Sequence, residues 1–237
     1  MQLLVSVQDA AEASAAVAGG ADIVDAKDPA VGSLGAVSID TLREIIGCVE
    51  GRCPVTAALG DAVEETPLER DAAAFAAAGA RLVKIGFAGV SDPQRAASLA
   101  AAAVRGAGRE RVVLVGYADH QPARSISSRN VLQIAAAYGV AGVLLDTADK
   151  DGPALFELTA MRAVTEWVTA AHDARLLVAI AGRLSATDAD RVRCTGADIT
   201  GVRGAACQGG RSGRIAAEKV RMLKELLERD VARVSLI

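Results

Sequence analysis

Eight short apolar runs, each followed by a stretch with helical spacing, leave this chain few architectures to adopt. The runs are Gln2–Val7, Asp22–Lys27, Pro54–Leu59, Arg81–Gly86, Val112–Tyr117, Ala141–Asp146, Leu176–Ala181 and Ala197–Val202. Between and after them lie Gln8–Ala18, Ser38–Cys48, Thr66–Ala78, Asp92–Ala107, Ser125–Tyr138, Met161–Ala174, Ser185–Cys194 and Arg214–Val231. Runs of this length read as buried strands and the longer stretches as amphipathic helices. Strict alternation demands right-handed crossovers between parallel strands. Eight such units match an α/β fold of one closed (β/α)8 TIM barrel spanning residues 1–237. The junctions GGADIVD, AGARLVK, YGVAGVL and TGADITG repeat one design, a helix-ending Gly followed by a strand. Ser38 suits a helix cap, and Pro67 a first helical position.

Composition narrows the function classes. Half the residues are apolar and 3% are aromatic, so the core must be built from small side chains. A net charge of -3 supplies neither a field for nucleic acid nor a cationic face for a membrane. No apolar run reaches the length of a membrane span. Met1 opens onto a strand with no basic segment before it, so no signal peptide is expected. The cysteines Cys48, Cys53, Cys194 and Cys207 form no ligand spacing and read as reduced thiols of a cytoplasmic protein.

The chemistry collects where the strands end. In a barrel the site lies at the C-terminal ends of the strands. Those ends carry Asp25 and Lys27, Asp61, Lys84, Asp119 and His120, and Asp146 followed by Lys150. Only 5 of the 26 Lys and Arg residues are Lys, and three of these five follow or end a strand-like run. Arginine forms no imine and does not shed a proton near neutral pH, so lysines kept there point to amine chemistry. Lys27 suits an imine-forming nucleophile if burial and a second cation lower its pKa. Lys84 suits that second cation and an acid/base, and Asp25 an orienting or proton-shuttling group. The competing reading is a structural ion network in the barrel mouth.

The last two strands run into IAGRLS and GVRGAACQGGRSGR. Gly-rich turns at this place expose amides suited to phosphate, which selects Gly182, Gly204 and Ala205. Arg203, Arg211 or Arg214 can add bidentate contacts; an ordinary connecting loop is the alternative. Pro29, Gly32 and Gly35 shape a loop over the site, as a lid or only a turn. His120, His172, Cys207 and Trp167 read as loop or packing residues.

The segments LLVSVQDAAEA, GGADIVDAKDPAVGSLGA, VGYAD, LLDTADKDGPALF, VAIAG and GVRGAACQGG resemble the (5-formylfuran-3-yl)methyl phosphate synthase family nearly end to end. The resemblance implies a cytoplasmic TIM-barrel carbon–oxygen lyase of methanofuran-type cofactor biosynthesis, found in methanogens and methylotrophs. It implies condensation of two glyceraldehyde 3-phosphate molecules to a furan phosphate through a lysine Schiff base, with loss of phosphate and water. It places the imine-forming lysine on Lys27, the proton-transferring lysine on Lys84, and the supporting groups on Asp25, Asp146 and Lys150. The expected scheme has Lys27 capture the ketone form of one triose phosphate, whose enamine attacks the second aldehyde. No metal and no cofactor is expected, since the imine is the electron sink. A homo-oligomer is expected, with no nucleic-acid or membrane partner. The rival activities are another class I aldolase on sugar phosphates and a non-catalytic phosphometabolite-binding barrel. One departure is the short acidic AVEETPLE after LGD.

Overall fold

In the computed structural model, residues 1–229 are described. The strands β1 Gln2–Val7, β2 Ile23–Ala26, β3 Val55–Asp61, β4 Val83–Gly86, β5 Val112–Tyr117, β6 Gly142–Asp146, β7 Leu177–Ile180 and β8 Ile199–Val202 form a closed parallel barrel in sequence order. Closure is made by β1 on β8, with Gln2 opposite Ile199 and Val5 opposite Val202. Alternation along each strand separates two packing layers. Leu3, Val5 and Val7 face the helices and are fully buried, whereas Leu4 and Ser6 face the bore. Leu4, Ile23 and Ile199 close the lower bore. Ala58, Val113, Val115, Tyr117 and Leu144 line its upper part together with Leu34.

The outer layer consists of α1 Ala10–Ala18, α2 Ile39–Val49, α3 Glu65–Ala77, α4 Pro93–Ala107, α5 Ser128–Tyr138, α6 Leu155–Leu158, α7 Met161–Asp173, α8 Ala189–Cys194 and α9 Ala217–Glu228. Side chains of Asp9, Ser38, Asp92 and Ser127 accept the first amides of α1, α2, α4 and α5, satisfying donors that the helices leave unpaired. The few aromatic residues are compensated by close helix approach. A Cβ on Gly106 of α4 would lie 2.2 Å from the Glu69 carbonyl of α3.

The structure differs from the expected elements at four places. Pro67 is the third residue of α3, still in the first turn, where a missing N–H removes no helix bond. The stretch after β6 holds the short α6, whose four residues carry too little periodicity to be read. Ser185–Cys194 divides into a 3-10 turn, Ala186–Asp188, and α8. Arg214 and Ile215 are not helical; as β10 they pair antiparallel with β9, Cys207–Gln208, and α9 starts at Ala217. Residues 230 and 231 of the expected last helix, and the rest of the expected domain to 237, lie outside the described residues.

Candidate active site

Register brings the polar inward positions to one level. Asp25 is opposite Ser6 of β1 and Thr56 of β3, and Lys84 is opposite Ala58. Asp25 is fully buried and accepts from Lys84 Nζ at 2.5 Å, Thr56 Oγ1 at 2.7 Å and Ser6 Oγ at 3.1 Å. Burial alone would raise its pKa. The charges of Lys84 and Lys27 and the hydrogen bonds from Lys84 and Thr56 outweigh burial and hold the carboxyl below its ordinary value. Lys84 lies two residues before the end of β4, so it projects from within the barrel rather than from its rim.

A second pair faces the first. Asp146 ends β6 and accepts from Lys150 Nζ at 2.6 Å and from the Thr147 amide at 2.8 Å. Burial opposes its ionisation, but Lys150, Lys27 and these hydrogen bonds keep its pKa low. The loop that carries Lys150 is held by Asp119, which accepts the amides of Ala148 at 2.7 Å and Asp149 at 2.8 Å.

Lys27 follows β2 and is 6% exposed. Lys84 is paired with Asp25 and Lys150 with Asp146, whereas among the described residues no carboxylate oxygen comes within 4.0 Å of Lys27 Nζ. Burial lowers its pKa most, Lys150 and Lys84 lower it further, and Asp146 and Asp25 pull the other way. The outcome is a fall from 10.5 to about 7. Lys27, Lys84, Asp146 and Lys150 line one cavity of about 420 Å³ that continues down the bore to Leu4 and Ile199. An amine of this kind is a nucleophile near neutral pH, flanked by two ion pairs able to deliver and remove protons.

The loop after β2 closes over this cavity. Asp28 N donates to Gly35 O at 2.8 Å, and Leu34 is turned inward with 1% exposure. A Cβ on Gly35 would meet Asp28 O at 2.3 Å, so the loop neck requires glycine. Ser33 is bonded to Tyr117 Oη at 3.1 Å, and Tyr117 donates to Asp61 at 2.6 Å. Burial and Asp61 push the Tyr117 phenol well above its usual pKa, so it remains a donor. His120 lies in the turns after β5, and His172 pairs with Asp198 at 3.1 Å. Trp167 donates to Ser128 O, and Cys207 is buried in β9.

The turns after β7 and β8 place Gly182, Gly204 and Ala205 on the same cavity. Gly182 has φ +107, and a Cβ there would press on Thr147 and Leu155. The arginines expected beside them separate. All five N–H groups of Arg203 are directed at protein acceptors: Glu12 through both terminal nitrogens, and the carbonyls of Ser6, Arg211 and Gly213. The Arg203 guanidinium is therefore a buried tie and is not available as a bidentate phosphate ligand, which corrects that part of the expectation. Arg214 is paired with Asp9 and does not line the cavity. Arg211 does line it.

Sequence reading missed Ser6, Thr56 and Ser33. Strand alternation carried a signal for the first two, since both are polar at bore-facing positions level with Asp25. Ser33 sits in an irregular loop that offers no such period. Among the described residues no group of three His, Cys, Asp or Glu is placed to hold a metal ion, and no helix is long and apolar enough to cross a membrane.

The sequence model of 4-HFC-P synthase matches residues 3–224. The chain belongs to the (5-formylfuran-3-yl)methyl phosphate synthase family. It is 40% identical to the synthase of that name from Methanopyrus kandleri, over 95% of this chain and 98% of the relative. To the one from Methanocaldococcus jannaschii it is 39% identical, over 95% and 99%. A putative synthase of this name from Streptomyces griseus is 37% identical, over 97% and 95%. Membership of this synthase family makes the chain a member of an enzyme family. Among solved structures, 3-hexulose-6-phosphate synthase from Salmonella typhimurium aligns with TM-score 0.65 at 16% identity, over 96% of this chain and 98% of that one. Orotidine 5'-phosphate decarboxylase from Pyrococcus horikoshii aligns with TM-score 0.65 at 14% identity, over 96% and 100%. At such identities these two speak for the barrel fold alone.

Proposed function

We propose that this protein is a lyase that condenses two molecules of glyceraldehyde 3-phosphate into (5-formylfuran-3-yl)methyl phosphate through an imine on Lys27, in methanofuran-type cofactor biosynthesis. One observation carries the reading. Among the described residues Lys27 is the cavity's lysine without a carboxylate oxygen within 4.0 Å, and its pKa of about 7 leaves a large neutral fraction at physiological pH. A structural ion network would pair that amine, as it pairs Lys84 and Lys150.

The product's skeleton says which atoms of the two trioses are joined. It divides into two three-carbon units in one way: formyl carbon, C5 and C4 in one, and C3, C2 and the phosphorylated methylene in the other. The new bond joins the terminal carbon of a triose that has lost its phosphate to the central carbon of one that keeps it. An imine on the aldehyde of the first triose acidifies its C2 and so drives loss of its phosphate, and on that ground Lys27 is assigned to it. This differs from capture of the ketone form, which here becomes the acceptor.

Lys84, charged beside Asp25, gives a proton to the carbinolamine hydroxyl, and water leaves. Now neutral, it removes the C2 proton. The C3–O bond breaks, phosphate departs with the electron pair, and C2=C3 forms as an enol. The second triose is first isomerised to its ketone form, protons moving from C2 to C1 and from O2 to O1, and C3 of the enol adds to that ketone carbon as the enol O–H loses its proton. Closure by that triose's hydroxyl, loss of two waters from the ring and hydrolysis of the imine complete the furan aldehyde. The amides at Gly182, Gly204 and Ala205 suit the retained phosphate, through backbone N–H groups.

Incubation with glyceraldehyde 3-phosphate alone is expected to give a furan absorbance and inorganic phosphate. Borohydride added during turnover is expected to add a triose-derived mass to the peptide bearing Lys27. A linear sugar phosphate without a chromophore would replace this reading with a class I aldolase. Full activity in Lys27→Ala would remove the imine altogether.

A further inference from the structure

The reaction proposed above brings two phosphates into one cavity, and the turns after β7 and β8 account for one. The cations on the cavity wall are not equally available for the other. Lys84 is held by Asp25, Lys150 by Asp146, and Arg203 by Glu12 and three carbonyls. Arg183, in the turn after β7, lines the cavity from an exposed position next to Gly182, on the side already assigned to the retained phosphate. Arg211 is different. It sits in the turn of the β9–β10 ribbon, where Gly209 and Gly210 adopt φ of +85 and +80. That turn folds its backbone against Gly204, whose added Cβ would lie 3.6 Å from the Arg211 amide. From there its side chain crosses the mouth to the loop directly after Lys27. One terminal nitrogen donates to Gly32 O at 3.0 Å and Pro29 O at 3.5 Å. No carboxylate oxygen among the described residues lies within 4.0 Å of it, and its remaining N–H groups have no protein acceptor among those residues. It feels the charge of Asp146 across the cavity, and burial lowers its pKa.

We propose that Arg211 binds the phosphate of the triose held on Lys27, the one expelled in the reaction. This rests on the Lys27 imine reading. The guanidinium reaches the loop that begins two residues after Lys27, which suits a three-carbon substrate fixed at one end by the imine. A fixed, partly desolvated guanidinium stabilises the phosphate dianion as the C3–O bond breaks, the electron pair leaving on oxygen while the C2 proton passes to Lys84. The amides at Gly204 and Gly182 then hold the second triose, so each substrate has its own anion site.

The test compares wild type, Arg211→Gln and Arg211→Lys in three measurements. In borohydride trapping at Lys27, wild type should favour glyceraldehyde 3-phosphate over unphosphorylated glyceraldehyde. Arg211→Gln should lose roughly 10- to 100-fold of that preference, with glyceraldehyde trapped as in wild type and Arg211→Lys intermediate. Release of inorganic phosphate should fall by at least the same factor. Titration with inorganic phosphate should show two sites per chain in wild type and one in Arg211→Gln. An unchanged preference, or equal loss of trapping for both aldehydes, would leave Arg211 as a brace of the loop and overturn the proposal. Absence of any adduct in wild type would sink the imine reading instead; the phosphate titration would then judge Arg211 by itself, two sites in both proteins overturning it.

Discussion

Lys27 is held in the folded protein at a cost that pH controls. Its pKa is about 7 in the barrel, against 10.5 for an ordinary lysine. Between these values the unfolded chain binds a proton that the folded chain does not, so stability rises with pH across that window. Below about 7 the full penalty of carrying the charge in the cavity is present, and above 10.5 it is gone. Lys27→Met should therefore be more stable than wild type by a few kcal/mol at pH 6, and the difference should shrink towards pH 10. Urea unfolding at the two pH values measures it. A variant less stable than wild type at both would mean that the Lys27 charge is satisfied in the folded state. The same titration sets activity: imine trapping should rise through a midpoint near 7 and level off above it.

At the level of elements, the site depends on how loops are pinned to strand ends. The loop after β6 carries Lys150 onto Asp146, and it is Asp119, from the loop after β5, that caps the amides of Ala148 and Asp149. Asp119 is thus a positioning residue. Without it Lys150 drifts from Asp146. Lys27 then loses a cation that depresses its pKa and faces a carboxylate that raises it. Asp119→Ala should move the trapping midpoint upward and slow trapping at pH 7 by roughly 3- to 10-fold, with Asp119→Asn between it and wild type. An unchanged pH profile would show that the loop keeps its shape unaided. Asp119 was visible in the sequence as a strand-exit acid, but its partners were not. Backbone amides of a neighbouring loop leave no mark in residue types, which is also why Ser33 escaped notice while Lys27, Lys84 and Asp146 stood out. Those three end or interrupt apolar runs, and a charge there needs a reason that packing does not give.

For the whole molecule, alternation of eight runs was enough to read the barrel, because a parallel sheet of that order with right-handed crossovers closes in few ways. What holds the closure was not legible. The seam between β8 and β1 is tied by Arg203, after β8, to Glu12 on α1 at 2.7 Å, with Ser6 O from β1 accepting from the same guanidinium at 3.1 Å. Glu12 and Arg203 are 191 residues apart and sit in segments that read as an ordinary helix start and a phosphate loop. Both are buried, at 1% and 5% exposure, so neither charge can turn to water if the other is removed. Glu12→Gln should therefore destabilise the protein by about 3–5 kcal/mol, the range for breaking one side of a buried ion pair. Replacing both, Glu12→Leu with Arg203→Met, should cost less than the single change, since no unpaired charge remains. Arg203 also accounts for the path of the ribbon, through the carbonyls of Arg211 and Gly213. The single variant should consequently weaken the site as well as the fold. Denaturant midpoints for the two proteins decide it: a loss under about 1 kcal/mol in Glu12→Gln would mean that the carbonyls alone hold Arg203, and that the barrel is closed by its strand pairing without this tie.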